Sequence, residues 1–143
     1  MRQLEFEFGQ AIIFGCLLLP MVIAVDMSEA KLKEVTEECM KQTNVSIEQA
    51  NLIMKDDLEK ISDEDFSHNM RCYLLCYHKQ IGLFDANGPM RDAFIKFMEI
   101  RYPNKKDKVL PALRICKHQR DPDSCEQTYK FERCMAHTIE GEL

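Results

Sequence analysis

The chain has 143 residues, 45% of them hydrophobic, with 19 basic and 24 acidic side chains and a formal net charge of −5 at pH 7. That length accommodates one domain, preceded by a targeting segment. The densest basic cluster is Lys105, Lys106 and Lys108 around Asp107, so no stripe exists to neutralise a run of phosphates, and nucleic acid is excluded as a partner.

The first element is the uncharged apolar run from Ala11 to Val25, fifteen residues long. It is short for a membrane span and suits the core of a secretory signal, with an N-terminal membrane anchor as the competing reading. Val22 and Ala24 supply small residues at minus three and minus one, which places cleavage after Ala24 and predicts a signal peptide over residues 1–24. The mature domain, residues 25–143, then carries 18 basic and 22 acidic groups, net −4, and has no stable membrane insertion.

Helical periodicity runs through almost all of the mature chain, and no stretch alternates with period two. Leu32, Val35 and Cys39 mark a first helix over about Ser28 to Gln42. Ser46 with Gln49 is a capping-box start for a second, whose inward face reads Ile47, Ala50, Met54, Leu58 and Ile61. Ser62 to Asp65 place a cap and three carboxylates at the start of a third helix, where the helix dipole favours negative charge. That helix is apolar nearly all round at Cys72 to Tyr77, the mark of a central helix packed on several sides. Gly82 to Gly88 form a turn; Gly88 falls at the fourth position from Asp85 and is followed by Pro89, which excludes an EF-hand calcium loop. Pro89 opens a fourth helix carrying Met90, Ala93, Phe94, Phe97, Met98 and Arg101 on one face, closed at Tyr102–Pro103. A fifth holds Val109, Leu110, Leu113 and Cys116 and runs to about Arg120. Asp121 to Ser124 cap a sixth, which reaches about His137. The fold class is all-α, about six helices. Asn44-Val45-Ser46 is an N-glycosylation sequon that competes with the capping role of Ser46.

Seven cysteines become six when Cys16 leaves with the signal, and an even count in a small secreted chain reads as a disulfide framework. Zinc is disfavoured, because structural zinc sites use two tight ligand pairs and the second half here is spaced by eight and eight residues. Of fifteen connectivities, helix geometry disfavours Cys72–Cys76, whose side chains lie parallel, and Cys125–Cys134, nine residues apart on opposite sides of a helix; ten remain open.

The spacing Cys39-x32-Cys72-x3-Cys76-x39-Cys116-x8-Cys125-x8-Cys134, behind a signal and on six helices, resembles the insect odorant-binding proteins, the pheromone/general-odorant-binding family. The resemblance covers the whole mature chain and extends to the Gly82–Gly88 turn and Tyr102–Pro103. It implies pairing of Cys39 with Cys76, Cys72 with Cys125 and Cys116 with Cys134. It also implies a hydrophobic cavity that encloses a small hydrophobic molecule and solubilises it in extracellular fluid. The inward faces that the family arranges around its cavity select Met54, Leu75, Phe94, Phe97, Met98, Leu113 and Tyr129 for the lining, with the Tyr129 hydroxyl available to an alcohol or carbonyl.

Seven of the nine methionines (Met27, Met40, Met54, Met70, Met90, Met98 and Met135) follow the predicted cleavage site and suit either adaptable binding or core filling. The family often releases ligand in acid, for which His68, His78, His118 and His137 are the candidates. The nine residues from Met135 onward are too short for an extra terminal helix and long enough to lie across an opening as a lid. With the cysteines bonded there is no Ser/His/Asp pattern, no glycine-rich phosphate loop and no metal cluster, so neither enzyme activity nor a cofactor is expected. The remaining partners are a small hydrophobic ligand, an odorant receptor and a second copy of the chain. The alternative is the same fold acting outside olfaction, as a scavenger, a reproductive-fluid protein or a secreted signal.

Overall fold

The computed structural model describes residues 28–54 and 60–142. The predicted signal with its Ala24 cleavage site, Cys16, Met27 and Leu58 lie outside them. The described chain forms six α-helices and one short hairpin: α1 (Glu29–Thr43), α2 (Ile47–Met54), α3 (His68–Gln80), β1 (Phe84–Asp85), β2 (Gly88–Pro89), α4 (Arg91–Arg101), α5 (Lys106–Cys116) and α6 (Ser124–Glu140).

Capping chemistry sets several of these limits. Ser28 accepts from the Lys31 amide to open α1, and Asn44 closes it in the left-handed region at φ +55°, a conformation that asparagine tolerates better than most residues. Ser46 and Gln49 bond reciprocally, Ser46 N to Gln49 Oε1 at 3.0 Å and Gln49 N to Ser46 Oγ at 3.2 Å, and so satisfy two orphan donors of α2. Asp123 accepts from the Cys125 and Glu126 amides at the start of α6. Gly141, at φ +87°, ends that helix.

α3 is the hub. It packs on α1, α2, α6 and β1, and it buries Met70, Tyr73, Leu74, Tyr77 and His78. α5 packs against α4 and α6. Phe84, Phe94 and Phe131 meet in a triangle with ring centroids 5.0–5.9 Å apart, joining hairpin, α4 and α6. Three disulfides hold the helices: Cys39–Cys76 ties α1 to α3, Cys72–Cys125 ties α3 to α6, and Cys116–Cys134 ties α5 to α6. Each contributes about 2–4 kcal/mol, so together they rival the whole net stability of a small domain.

Several local expectations are corrected. On α2 the buried pair is Ala50 and Ile53, while Ile47 and Met54 are exposed. Ser62 caps an isolated turn, its carbonyl accepting from the Asp65 and Phe66 amides; Ser67 is the N-cap of α3. Pro89 pairs across the hairpin with Phe84, and α4 starts two residues later. α5 ends at Cys116 rather than Arg120. The expected lid is the last turn of α6: Met135 and Ile139 are fully buried in the wall of the bundle.

Candidate functional site

Between α2, α3, α4 and α6 lies a cavity of about 30 Å³. Ile53, Met54, Leu74, Tyr77 and Phe97 form its apolar lining, and His78, Arg101 and Glu132 its polar side. Helical spacing explains the grouping. Leu74, Tyr77 and His78 follow i, i+3, i+4 on α3, and Phe97 and Arg101 stand one turn apart on α4. Glu132 faces them from α6, in a buried stripe with Thr128, Met135 and Ile139.

The polar side is a desolvated network. Glu132 is 1% exposed and His78 1% exposed. Arg101 Nη1 donates to Glu132 Oε1 at 2.7 Å, and His78 Nε2 bonds the other carboxylate oxygen, Oε2. Burial is the largest single influence on the Glu132 carboxyl and pushes it up. The field and hydrogen bonds of the His78 ring and the Arg101 guanidinium together outweigh it, and the group is held below the usual carboxylate range. Glu132 and Arg101 are therefore a compensated ion pair inside the protein. Among the described residues, the buried His78 Nδ1 meets no hydrogen-bond partner. Rings surround the imidazole: Phe84 at 5.3 Å, Phe97 at 5.9 Å and Phe94 at 6.2 Å between centroids. Burial, with a smaller contribution from Tyr73, raises the Tyr77 phenol to about 12, so it stays neutral at any physiological pH.

Of the residues predicted to line a pocket, Met54 and Phe97 meet in this cavity. Phe94, Met98 and Leu113 are buried in the packed core. Leu75 borders a shallow groove of about 270 Å³ beside the hairpin, with Lys79, Asp85, Asn87, Arg120 and Gln127. Tyr129 faces a different outer groove, where its hydroxyl donates to Asp63 at 2.5 Å and contacts Arg133, so that hydroxyl is already engaged away from the cavity. The sequence reading passed over Ile53, Leu74, Tyr77, His78, Arg101 and Glu132 for the lining. The available signal was electrostatic: Arg101 and Glu132 each interrupt an apolar helical face with opposite charge.

Among the four histidines only His78 touches the cavity. His68 is exposed beside Asp123 and Glu126, His118 is exposed, and His137 pairs with Glu142. His68, Cys72 and Cys125 come close enough to suggest a metal cluster, but the two sulfurs are bonded to each other and cannot ligate as thiolates. None of the cavity-lining residues is a serine, threonine or free cysteine that could act as a nucleophile. No described helix is long and apolar enough to cross a membrane.

The model of the PBP/GOBP family matches residues 24–138, most of the chain. The chain belongs to that family. No curated protein matches it. Among solved structures it is similar to the "Fatty acid binding protein OBP56a from the oral disk of the blowfly Phormia regina", at 25% identity and a TM-score of 0.60, over 82% of this chain and 98% of that one. PBP/GOBP is a family of carriers of small hydrophobic molecules, and the cavity combines an apolar wall with a few fixed polar groups.

Proposed function

We propose that this protein is secreted after removal of residues 1–24 and that it carries a small hydrophobic molecule through extracellular fluid in the cavity between α2, α3, α4 and α6. The observation that carries the reading is the meeting of five largely apolar side chains with a buried ion pair inside a disulfide-held helical frame. Three disulfides support an oxidising, extracellular setting. The blowfly relative is described as a fatty acid binding protein, which supports cargo with a long apolar chain.

A volume of about 30 Å³ admits one water molecule, so cargo enters by displacing side chains from the cavity wall. Met54, 38% exposed, and the partly buried Phe97 are the lining residues able to swing towards solvent. Methionine suits that role, having three rotatable bonds and a polarisable sulfur. Asn44, exposed at the end of α1, is open to glycosylation during secretion.

The test is binding of an environment-sensitive apolar fluorophore to the oxidised chain 25–143, with volatile and fatty competitors. Saturable micromolar binding, displaced selectively and lost on reduction, establishes the carrier. A folded, oxidised protein that binds no probe and no competitor overturns it and points to action through contact with another macromolecule.

A further inference from the structure

We propose that the groove beside the hairpin is a second binding site, separate from the carrier cavity, and that it takes a tetrahedral oxyanion, phosphate or sulfate, between Lys79 and Arg120. The ion comes either free or as the head of a small ester.

Four stretches of chain build the groove. Lys79 stands one turn after Leu75 on α3, and Asn87 lies in the turn of the hairpin. Arg120 belongs to the connection from α5, and Ser124 and Gln127 stand one turn apart at the start of α6. The volume is about 270 Å³, against a share of about 30 Å³ for a water molecule in the liquid. A bare phosphate leaves room to spare, and Leu75 and Phe84 supply an apolar strip for an organic group attached to it.

Charge selects the ligand. Arg71, Arg101 and Arg133 each meet a carboxylate. Arg120 is held differently: its Nη1 donates to the Lys117 carbonyl at 2.8 Å and to the Gln119 carbonyl at 2.7 Å. Those neutral acceptors fix the guanidinium and leave its charge uncompensated. Its Nε–Nη2 edge makes no hydrogen bond among the described residues, and that edge can grip two oxygens of a phosphate at once. Lys79 makes no ion pair among the described residues and adds a point charge. Asp85 is the one acid among the described lining residues, and its Oδ1 already accepts from the Asn87 amide at 2.7 Å. Two cations against one acid leave the lining at +1, on a chain of formal net charge −5. The side chains of Asn87, Ser124 and Gln127 supply neutral donors for the remaining oxygens, a set that a carboxylate would leave partly unused. The end of α6 is not itself the attraction, because Asp123 already accepts the Cys125 and Glu126 amides.

The experiment titrates the oxidised chain at pH 7 and constant ionic strength, in buffer free of phosphate and sulfate, and follows its backbone amides by NMR. The probes are inorganic phosphate, inorganic sulfate, butyl phosphate and, as the uncharged control, 1-butanol. The anions should produce saturable shifts at Lys79, Asn87, Arg120, Ser124 and Gln127 and leave Leu74, Phe97 and Glu132 of the cavity unmoved. Arg120→Gln and Lys79→Gln should each weaken that binding about fivefold, the value of one exposed charge-assisted contact. Lys96→Gln, an equal change of charge at an exposed position of α4, should leave it unchanged. Tighter binding of butyl phosphate than of inorganic phosphate identifies an ester as the source, and equal binding identifies the free ion. Three results overturn the site: no saturable shift at the groove, shifts with 1-butanol as large as those with butyl phosphate, or binding that the two groove variants weaken no more than Lys96→Gln does. None of these readouts uses the apolar fluorophore, so the site and the carrier reading stand or fall separately.

Discussion

Arg101→Leu tests whether the polar side of the cavity is as dry as the structure shows. Glu132 is 1% exposed and has two partners, Arg101 and His78. Removing the guanidinium leaves a buried carboxylate with the His78 ring alone. Breaking one side of a buried ion pair costs about 3–5 kcal/mol, a large share of a net stability of about 5–15 kcal/mol. The loss should depend on pH. In the parent protein the Glu132 carboxyl is held below its ordinary range, so its stabilising contribution is complete above the unfolded value of about 4.3 and fades as pH falls through the folded value. The variant lacks one of the groups that keep Glu132 ionised, and protonation relieves its penalty. Parent and variant should therefore differ most near neutral pH and converge below about pH 4. Urea unfolding with the disulfides intact measures both, provided the slope with denaturant is unchanged. A double variant, Arg101→Leu with Glu132→Leu, should recover more than half of the loss, since replacing both partners with apolar groups leaves no buried charge. A loss below about 1 kcal/mol at neutral pH, or one that does not change with pH, would refute the reasoning and place the pair in solvent.

Three further outcomes follow from the packing. Phe94→Ala, in the aromatic triangle, should destabilise by about 3–5 kcal/mol in urea unfolding, whereas Phe97→Ala, on the partly exposed cavity wall, should weaken fluorophore binding more than it lowers stability. Replacing both cysteines of Cys72–Cys125 by serine should cost about 1 kcal/mol more than replacing those of Cys116–Cys134, because the closed loops span 53 and 18 residues; denaturation of the two variants decides it. Native-state absorbance titration should show Tyr77 ionising near pH 12, with Tyr73 and Tyr129 also delayed past 10. These folded values lie above the unfolded one, so the stability they contribute is complete below about pH 10 and is lost as pH rises through the folded values.

Much of the backbone was legible in the sequence because helix ends are written locally. Ser28, the Ser46/Gln49 pair and Asp123 each cap a helix through atoms within three residues. Where two local solutions share one chemistry, the sequence left the choice open: Ser62 and Ser67 both precede the central helix, and only tertiary packing makes the first a turn and the second the cap. Pro89 is equally suited to a helix start and to a hairpin strand. On the described part of α2 the periodicity chose the wrong face at two positions: Ile47 and Met54 sit outside the buried stripe of Ala50 and Ile53, while Leu58 lies outside the described residues. The cysteine bonds were reachable only through the family resemblance, since helix geometry alone left ten patterns. The cavity was the least legible part. Phe94 and Phe97 are chemically identical and three residues apart, yet one is core and the other wall, a distinction set by which neighbour each meets across the bundle.

Followed as a network of covalent links, the disulfides run α1 to α3, α3 to α6 and α6 to α5, an unbroken series through four helices. α2 and α4 contain no cysteine and stand outside that series. Met54 belongs to α2 and Phe97 to α4. His78 and Glu132 belong to the linked helices α3 and α6, which the Cys72–Cys125 bond joins directly. The polar side of the cavity therefore straddles the two kinds of helix: His78 and Glu132 stand on helices that a covalent bond joins, whereas Arg101 on α4 is held to them through its ion pair with Glu132 rather than by a covalent bond. Under the carrier reading, the bonds that stabilise the fold leave Met54 and Phe97 on the two helices free of covalent links, and any outward movement of α4 has to break or carry the Arg101–Glu132 contact.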